Sequence, residues 1–475
     1  MALAAALALH RVDAHLFELT GLRTGSVRDQ LVRAQLLVRE LYAERLIGSD
    51  RPLIVAGAGA AGIAAALTAL PLGVDVDVLE QHKNPFQTQL AVTTRWLDPT
   101  EFDWPHAHWT QGDISWGGVP HALPYLGGTA STLAATWSAV LFLVLLGPAA
   151  PALPAGFGRL RIFYGVDARI FTFRSVPSGV TVAPPRGSPQ SYGAAISCIG
   201  FSGEHTSIRS TAGSEFVGPK FWSVDNLARL RAGLPAGSAT TRVLISGGGD
   251  GAQQDFLRVL TGQFGKALFQ ALGLHMMPMS LEAAVLAEDY GRRSHGWSSK
   301  GVKPARDYSS WHDAYEQLAD SIWASWQSSG TLSQLAGVLL SDVRATWLVG
   351  SESPGYCYGL NRLLCLLVAK LHAMQWGRPE TGGRTGSFVL TGDEVVLYDA
   401  KLHSVTAVNG HVCSDRCNGL EHEVDVSGGS KFASAGPHRL GTFDVLVVRH
   451  GVDPKPLFAG GAPIPEQLVP MQVPR

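Results

Sequence analysis

The chain has 475 residues, 46% of them hydrophobic and only 16% charged, against roughly 25% charged in ordinary soluble domains, so it can bury several sheets and is neither a solvated disordered polymer nor a disulfide-stapled miniature. Its 38 basic and 39 acidic side chains leave a net charge of −1, which argues against a nucleic-acid partner held by phosphate neutralisation. Five cysteines, Cys198, Cys357, Cys365, Cys413 and Cys417, form no regular framework and point to a reduced, cytoplasmic setting.

The start, MALAAALALH, has no basic residue ahead of its apolar run and does not read as a cleaved signal. Residues 1–48 are expected to form a helical extension. Val27, Leu31, Ala34, Val38, Leu41 and Arg45 follow helical spacing, with Ser26 placed to cap the start and Gly48 the end. At Arg51-Pro52 the pattern changes to a short apolar run, Leu53 to Ala56, then glycines, an alanine-rich helix and an alternating strand, Val74 to Leu79, ending at Glu80. From Ile114 to Gly158 there is no charged residue. Within that stretch the run Thr132 to Leu146 is about 15 residues, short of the roughly 20 that cross a bilayer, so it reads as a buried helix, with a helix lying against lipid as the alternative.

A strand-rich stretch from Arg159 to Gly200 has the same grammar as Ser387 to Gly451. Asp167-Ala168-Arg169-Ile170 aligns with Asp399-Ala400-Lys401-Leu402, and AISCIG with LVVRHG. Each copy is preceded by a strand and a glycine loop, LIVAGAGAAG at 53–62 and VLISGGGDGA at 243–252, so the chain reads as a diverged duplication of one nucleotide-binding module. The expected organisation is an α/β chain of two Rossmann-like, three-layer modules. Residues 1–48 form the extension, 49–205 the first module, 206–240 a linker, 241–268 with 384–460 the second module, 269–383 a helical insertion and 461–475 a loose tail. Within the insertion, Tyr308, Trp311, Tyr315, Leu318, Ile322 and Trp326 form an aromatic stripe suited to core packing.

Gly57-Ala58-Gly59-Ala60-Ala61-Gly62 is GxGxxG between a strand and a helix. Gly57 permits the tight turn, Gly59 lets backbone approach a pyrophosphate, and Gly62 lets the helix pack on the sheet, while the helix N-terminus faces the phosphates. Glu80, 18 residues after Gly62, is placed to accept hydrogen bonds from the hydroxyls of an adenosine ribose. Gly247-Gly248-Gly249-Asp250-Gly251-Ala252 is GxGxxA, with Gly247, Gly249 and Ala252 at the fingerprint positions. Asp250 brings a negative charge to that loop unless it turns away to cap the helix expected from Gly251, and no second strand with a terminal selector residue is evident.

Residues 53–80 resemble the amino-terminal ADP-binding unit of FAD-dependent oxidoreductases with two dinucleotide-binding domains. The resemblance implies FAD held by Gly57, Gly59, Gly62 and Glu80. It also implies NAD(P)H on the second loop, a return to the cofactor at Ala195 to Gly200, and a small-molecule substrate. In that family the segment after the ribose carboxylate commonly wraps the flavin, which makes Arg95, Trp96, Asp103, Trp104 and His106 candidates for the reacting centre. No CxxC or CxxxxC pair follows the first fingerprint, so a dithiol relay is not expected, and monooxygenation of a small organic molecule is the more specific reading. Phe201 to His205 is similar to the FxGxxxH signature of some monooxygenases, but its His comes two residues early. A non-catalytic dinucleotide sensor or assembly protein is the alternative function. His411, Cys413, Cys417 and His422 have irregular spacing and read as loop residues rather than a zinc site, so no metal is expected. Arg449-His450-Gly451 ends the last strand of the second repeat, at the sheet edge where such folds bind ligands.

Overall fold

The structure, a computed structural model, describes residues 7, 10–19, 27–97, 122–124, 127–146, 156–209, 215–228, 240–276, 308–354, 357–382, 393–407, 422–428, 437–454 and 456–458. The chain opens with a hairpin, β1 (Arg11–Asp13) and β2 (Leu16–Glu18), followed by α1 (Val27–Ala43). The expected all-helical extension is therefore corrected. Leu16, Phe17 and Glu18 are buried because β2 pairs in parallel with a strand of the first sheet, and three residues are too few to leave a period in the sequence. Val27, Leu31, Ala34, Val38 and Leu41 do face the core, but α1 stops at Ala43 and the chain turns at Arg45, whose φ is +56°.

The first module continues with β3 (Leu53–Ala56), α2 (Ala60–Ala69) and β4 (Val76–Glu80). Then come β5 (Trp96–Leu97) and β6 (Gly128–Thr129), α3 (Ala130–Leu145), β7 (Leu160–Tyr164), a meander of β8 (Thr172–Val176), β9 (Gly179–Ala183) and β10 (Gln190–Tyr192), and β11 (Ala194–Ser197). Its main sheet runs β1-β2-β11-β3-β4-β7, parallel from β2 onward. Such strands are covered on both faces, which is why Leu53 to Ala56 read as an unbroken apolar run. Among the described residues no helix is long and apolar enough to cross a membrane. In α3 the first turns are buried through Leu133, Trp137 and Leu141, whereas Phe142, Leu143 and Leu145 are exposed, so the expected buried helix is buried only on one side.

Beyond β12 (Phe201–Glu204), β13 (Ser207–Arg209) and β14 (Glu215–Val217), the second module begins with β15 (Thr241–Ser246) and α4 (Asp250–Thr261). It goes on through α5 (Gly265–Ala271), α6 (Tyr308–Ser329), β16 (Val343–Val349), α7 (Gly359–Trp376), β17 (Thr381–Gly382) and β18 (Val396–Tyr398). A second meander, β19 (Ala400–Ala407), β20 (His422–Gly428) and β21 (Pro437–Phe443), leads to β22 (Val445–Val448) and β23 (Val452–Pro454). Its sheet order is β17-β18-β16-β15-β22, all parallel. The run β22-β15-β16-β18 repeats β11-β3-β4-β7 strand for strand, each copy with its own three-stranded meander, so the duplication is present in three dimensions.

The expected insertion at 269–383 also contains part of the module. β16 is the strand paired with β15, and α7 packs on α4 with Leu360, Leu363, Leu364 and Leu367 in the core. The aromatic stripe of α6 is core where its side chains are described, at Tyr315, Leu318, Ile322 and Trp326. The two modules are joined by β12 and β23, which pair antiparallel.

Two buried histidines give the fold an acid sensitivity. The Ala345 amide donates to His372 Nε2 at 3.2 Å, and burial together with Arg378 pushes His372 down to about 3. Burial and Arg33 do the same to His10, also to about 3. Because the unfolded chain binds these protons near pH 6.5 and the folded chain does not, stability is full above pH 6.5. It falls as pH drops toward 3, with a slope of about 1.4 kcal/mol per pH unit per group. Thermal midpoints measured from pH 7 to pH 4 are expected to fall, and the fall in a variant with His372→Gln to be shallower; a pH-independent midpoint would contradict this.

Candidate functional site

A cavity of about 1070 Å³ lies between the modules and is lined by both glycine loops. This is slightly larger than the roughly 300–1,000 Å³ of ordinary ligand sites. The carboxyl ends of β3, β4, β11, β15, β16 and β22 all deliver residues to its wall, among them Gly57, Glu80, Cys198, Ser246, Gly350 and Arg449. The starts of α1 at Val27, α2 at Ala60, α4 at Asp250 and the residue preceding α7, Tyr358, also line it. Each helix presents about half a positive elementary charge at that end, so the cavity favours an anion.

The three glycines of the first loop have three different surroundings. At Gly57 φ is +99°, and a Cβ would stand 2.6 Å from the carbonyl oxygen of Cys198. At Gly62 a Cβ would stand 1.9 Å from the carbonyl oxygen of Gly57, so the helix can sit there only without one. At Gly59 nothing lies within 4 Å of the Cβ position, and no side chain caps α2. The first two glycines close the turn, and the third leaves bare helical amides facing open cavity. Glu80 holds this geometry. The Ala58 amide donates to its Oε2 at 2.6 Å and the His82 amide to its Oε1 at 2.8 Å. Each carboxylate oxygen accepts two hydrogen bonds, so one position per oxygen is left for ligand hydroxyls.

The second loop is built alike, with a different anchor. Gly247 has φ +141°, its Cβ position lies 2.3 Å from the Arg449 carbonyl oxygen, and the Trp347 indole donates to the Gly247 carbonyl at 2.7 Å. Gly249 precedes α4 and Ala252 is fully buried. α4 begins at Asp250, one residue before the expected start, and Asp250 turns to the neighbouring helix. Its Oδ1 accepts the Tyr358 amide at 2.9 Å and the Asn361 amide group at 2.8 Å, tying the first turn of α7 to the loop.

Of the residues expected near the reacting centre, Arg95 is corrected outright. It is 1% exposed and bound to Asp255 and to Asp225 (2.7 Å), with its Nε donating to the Phe221 carbonyl at 2.7 Å and its guanidinium 4.0 Å above the Phe221 ring. Arg258 joins Asp225 and Asp255, and Arg449 joins Asp255 at 2.8 Å, so three guanidiniums and two carboxylates lock the modules together. Burial opposes ionisation of Asp255, but Arg95 and Arg449 outweigh it and hold the carboxyl below its ordinary range. Trp96 is on β5, is 43% exposed and does not line the cavity. Asp103, Trp104 and His106 lie outside the described residues, as do His411, Cys413 and Cys417. His422 is buried on β20, and among the described residues no group of three metal-binding side chains occurs.

The sequence places His450 at the ligand edge but does not show its partner, Ser246. Ser246 Oγ lies 2.8 Å from His450 Nε2 on the cavity wall, and the next imidazole, His205, meets Asp453 at 2.8 Å. Burial and the neighbouring His205 push His450 below its ordinary value, so its ring is neutral at pH 7. The two partners are 204 positions apart, and only the strand-end location of each hints at the contact. Cys198 also lines the cavity, but burial raises its thiol well above the ordinary range.

No family model and no curated protein matches the chain. Among solved structures it is similar to thioredoxin reductase of Lactococcus lactis in its FR conformation, at 9% identity over 85% of this chain and 78% of that one, with a TM-score of 0.36. It is similar to the bacillithiol disulfide reductase of Staphylococcus aureus at 10% identity over 85% and 77%, with a TM-score of 0.39. For thioredoxin reductase of T. acidophilum the values are 10%, 85%, 77% and 0.33.

Proposed function

We propose that the protein is an FAD-dependent oxidoreductase that takes hydride from NAD(P)H. The observation that carries this reading is the single cavity reached by both glycine loops, each at the carboxyl edge of its own parallel sheet. The first loop fits FAD through the open cradle at Gly59 and the remaining acceptor positions of Glu80, with Gly57 and Gly62 shaping the turn. Gly247, Gly249 and Ala252 would hold the nicotinamide nucleotide. Bound FAD would supply two-electron transfer between that donor and an acceptor. The chain's own work is to align the two ligands, exclude water and manage the accompanying proton. A neutral His450 shares a hydrogen bond with the Ser246 hydroxyl through Nε2, which places an exchangeable proton on the wall between the loops.

A disulfide acceptor is not proposed. Among the described residues the cysteines are Cys198, Cys357 and Cys365, all buried, and burial pushes Cys357 up to about 11, leaving a thiol where a relay needs a thiolate. We propose O2 or a small organic molecule as acceptor, with monooxygenation the first activity to assay. The sensor reading is favoured by one observation: the second module has no carboxylate where the first has Glu80, which suits a chain that holds a single nucleotide.

The purified chain is expected to be yellow, to release FAD on denaturation, and to bleach when NADPH or NADH is added without oxygen. A colourless chain that takes up no added FAD overturns the proposal, and a yellow chain that neither nucleotide bleaches favours the sensor. In the active protein, the acid limb of the turnover profile is expected below pH 6.5, since the lowered His450 value keeps the base form present above it. His450→Gln should reduce turnover by about 10²-fold and abolish that limb without changing flavin content. An unchanged limb would remove His450 from the mechanism.

A further inference from the structure

We propose that Lys401 makes the second module selective for a nucleotide with a 2′-phosphate on its adenosine ribose. The inference rests on the reading of that module as a nicotinamide nucleotide site. The duplication supplies an internal reference. In the first module Leu79 lies opposite Ala56 and the Gly57 amide donates to its carbonyl at 2.7 Å; in the second Leu348 lies opposite Ser246 and the Gly247 amide donates to its carbonyl at 3.0 Å. The residue after each leucine is therefore equivalent. It is Glu80 in one and Val349, fully buried, in the other. The carboxylate that would accept two ribose hydroxyls and repel a phosphate is gone from the second site.

A cation takes its place from another sheet. The next residue, Gly350, has no side chain, and the stem of Lys401 fills that room, its Cγ 3.4 Å and Cε 3.7 Å from the Cβ position. Gly350, Ser351 and Lys401 all line the cavity. Asp399, in the left-handed conformation at φ +54°, donates its amide to the Ser351 carbonyl at 2.9 Å and pins the start of β19 against the tip of β16. The first module has a basic residue at the aligned position too, but Arg169 pairs there with Asp167 at 3.7 Å, and Glu80 lines the same cavity. Removal of one carboxylate from an otherwise repeated design thus reverses the charge met by the ribose. A hydrogen bond from an ammonium to a phosphate adds enough to favour the phosphorylated ribose by about tenfold.

The test is competition by adenine nucleotides on the purified full chain, with the first site saturated by added FAD. 2′,5′-ADP is expected to bind about tenfold tighter than 5′-AMP, with 3′,5′-ADP behaving as 5′-AMP. Lys401→Ala should bring the first ratio to within about twofold, and Lys401→Arg should preserve it. Equal binding by the wild type, or a ratio that survives Lys401→Ala, overturns the inference. If NADH binds normally while the 2′-phosphate brings no gain, only the selectivity fails. If NADH, NADPH and 2′,5′-ADP all fail to bind, the reading of the second module fails and the inference with it.

Discussion

Gly59→Val is expected to yield a folded, colourless protein. The Cβ position at Gly59 meets nothing within 4 Å, and the residue's φ of −73° is ordinary for a side chain, so the fold tolerates the substitution. The added methyl groups would occupy the space in front of the α2 amides and keep a diphosphate from reaching them. FAD affinity should fall by 10²-fold or more, equal to about 3 kcal/mol, while the thermal midpoint of the FAD-free protein stays within a few degrees of the wild type. Gly62→Ala should behave in the opposite manner. Its Cβ would stand 1.9 Å from the Gly57 carbonyl oxygen, so helix and loop must separate, and the FAD-free protein itself should lose several kcal/mol. Flavin content after refolding, read beside the midpoint of the FAD-free form, separates the cases. If Gly59→Val binds FAD as well as the wild type, the loop is a packing device and the proposed function is lost.

This contrast also explains what was legible in the sequence. The first loop and Glu80 lie within one βαβ unit, where each residue's role follows from near neighbours: turn, approach, helix contact, ribose. The second module hid its equivalent strand because the chain between Thr261 and Val343 separates β16 from its glycine loop, and Val-Arg-Ala-Thr-Trp-Leu-Val carries a charge and a hydroxyl inside the sheet. Its Thr346 is satisfied by the Glu394 carbonyl and by Arg378, partners distant in sequence. The N-terminal strand was hidden by brevity, since only its pairing with β11 identifies Leu16–Glu18 as part of the sheet. Along the chain Arg95 reads as a candidate for the reacting centre because its partners, Asp225 and Asp255, stand 130 and more positions away. A burial competition that only the assembled modules decide is invisible along the chain.

That competition yields the second large effect. Asp255→Asn should destabilise the protein by about 3–5 kcal/mol, because three buried guanidiniums would then face the single carboxylate of Asp225. Asp255 binds Arg95 from the first module and Arg449 from the end of β22, so its loss loosens the docking of one module on the other as well as α4. Asp225→Asn should cost less, since Asp225 pairs with two guanidiniums, Arg95 and Arg258, where Asp255 pairs with three. Protease sensitivity should appear at β12 and β23, the strand pair that joins the modules. The ordering of the two variants is the discriminating result. Equal losses would mean that each aspartate serves its local loop, whereas a loss confined below about 1 kcal/mol for Asp255→Asn would mean that water reaches the cluster and screens it as at a surface. The ion cluster would then not be what holds the two glycine loops to one cavity.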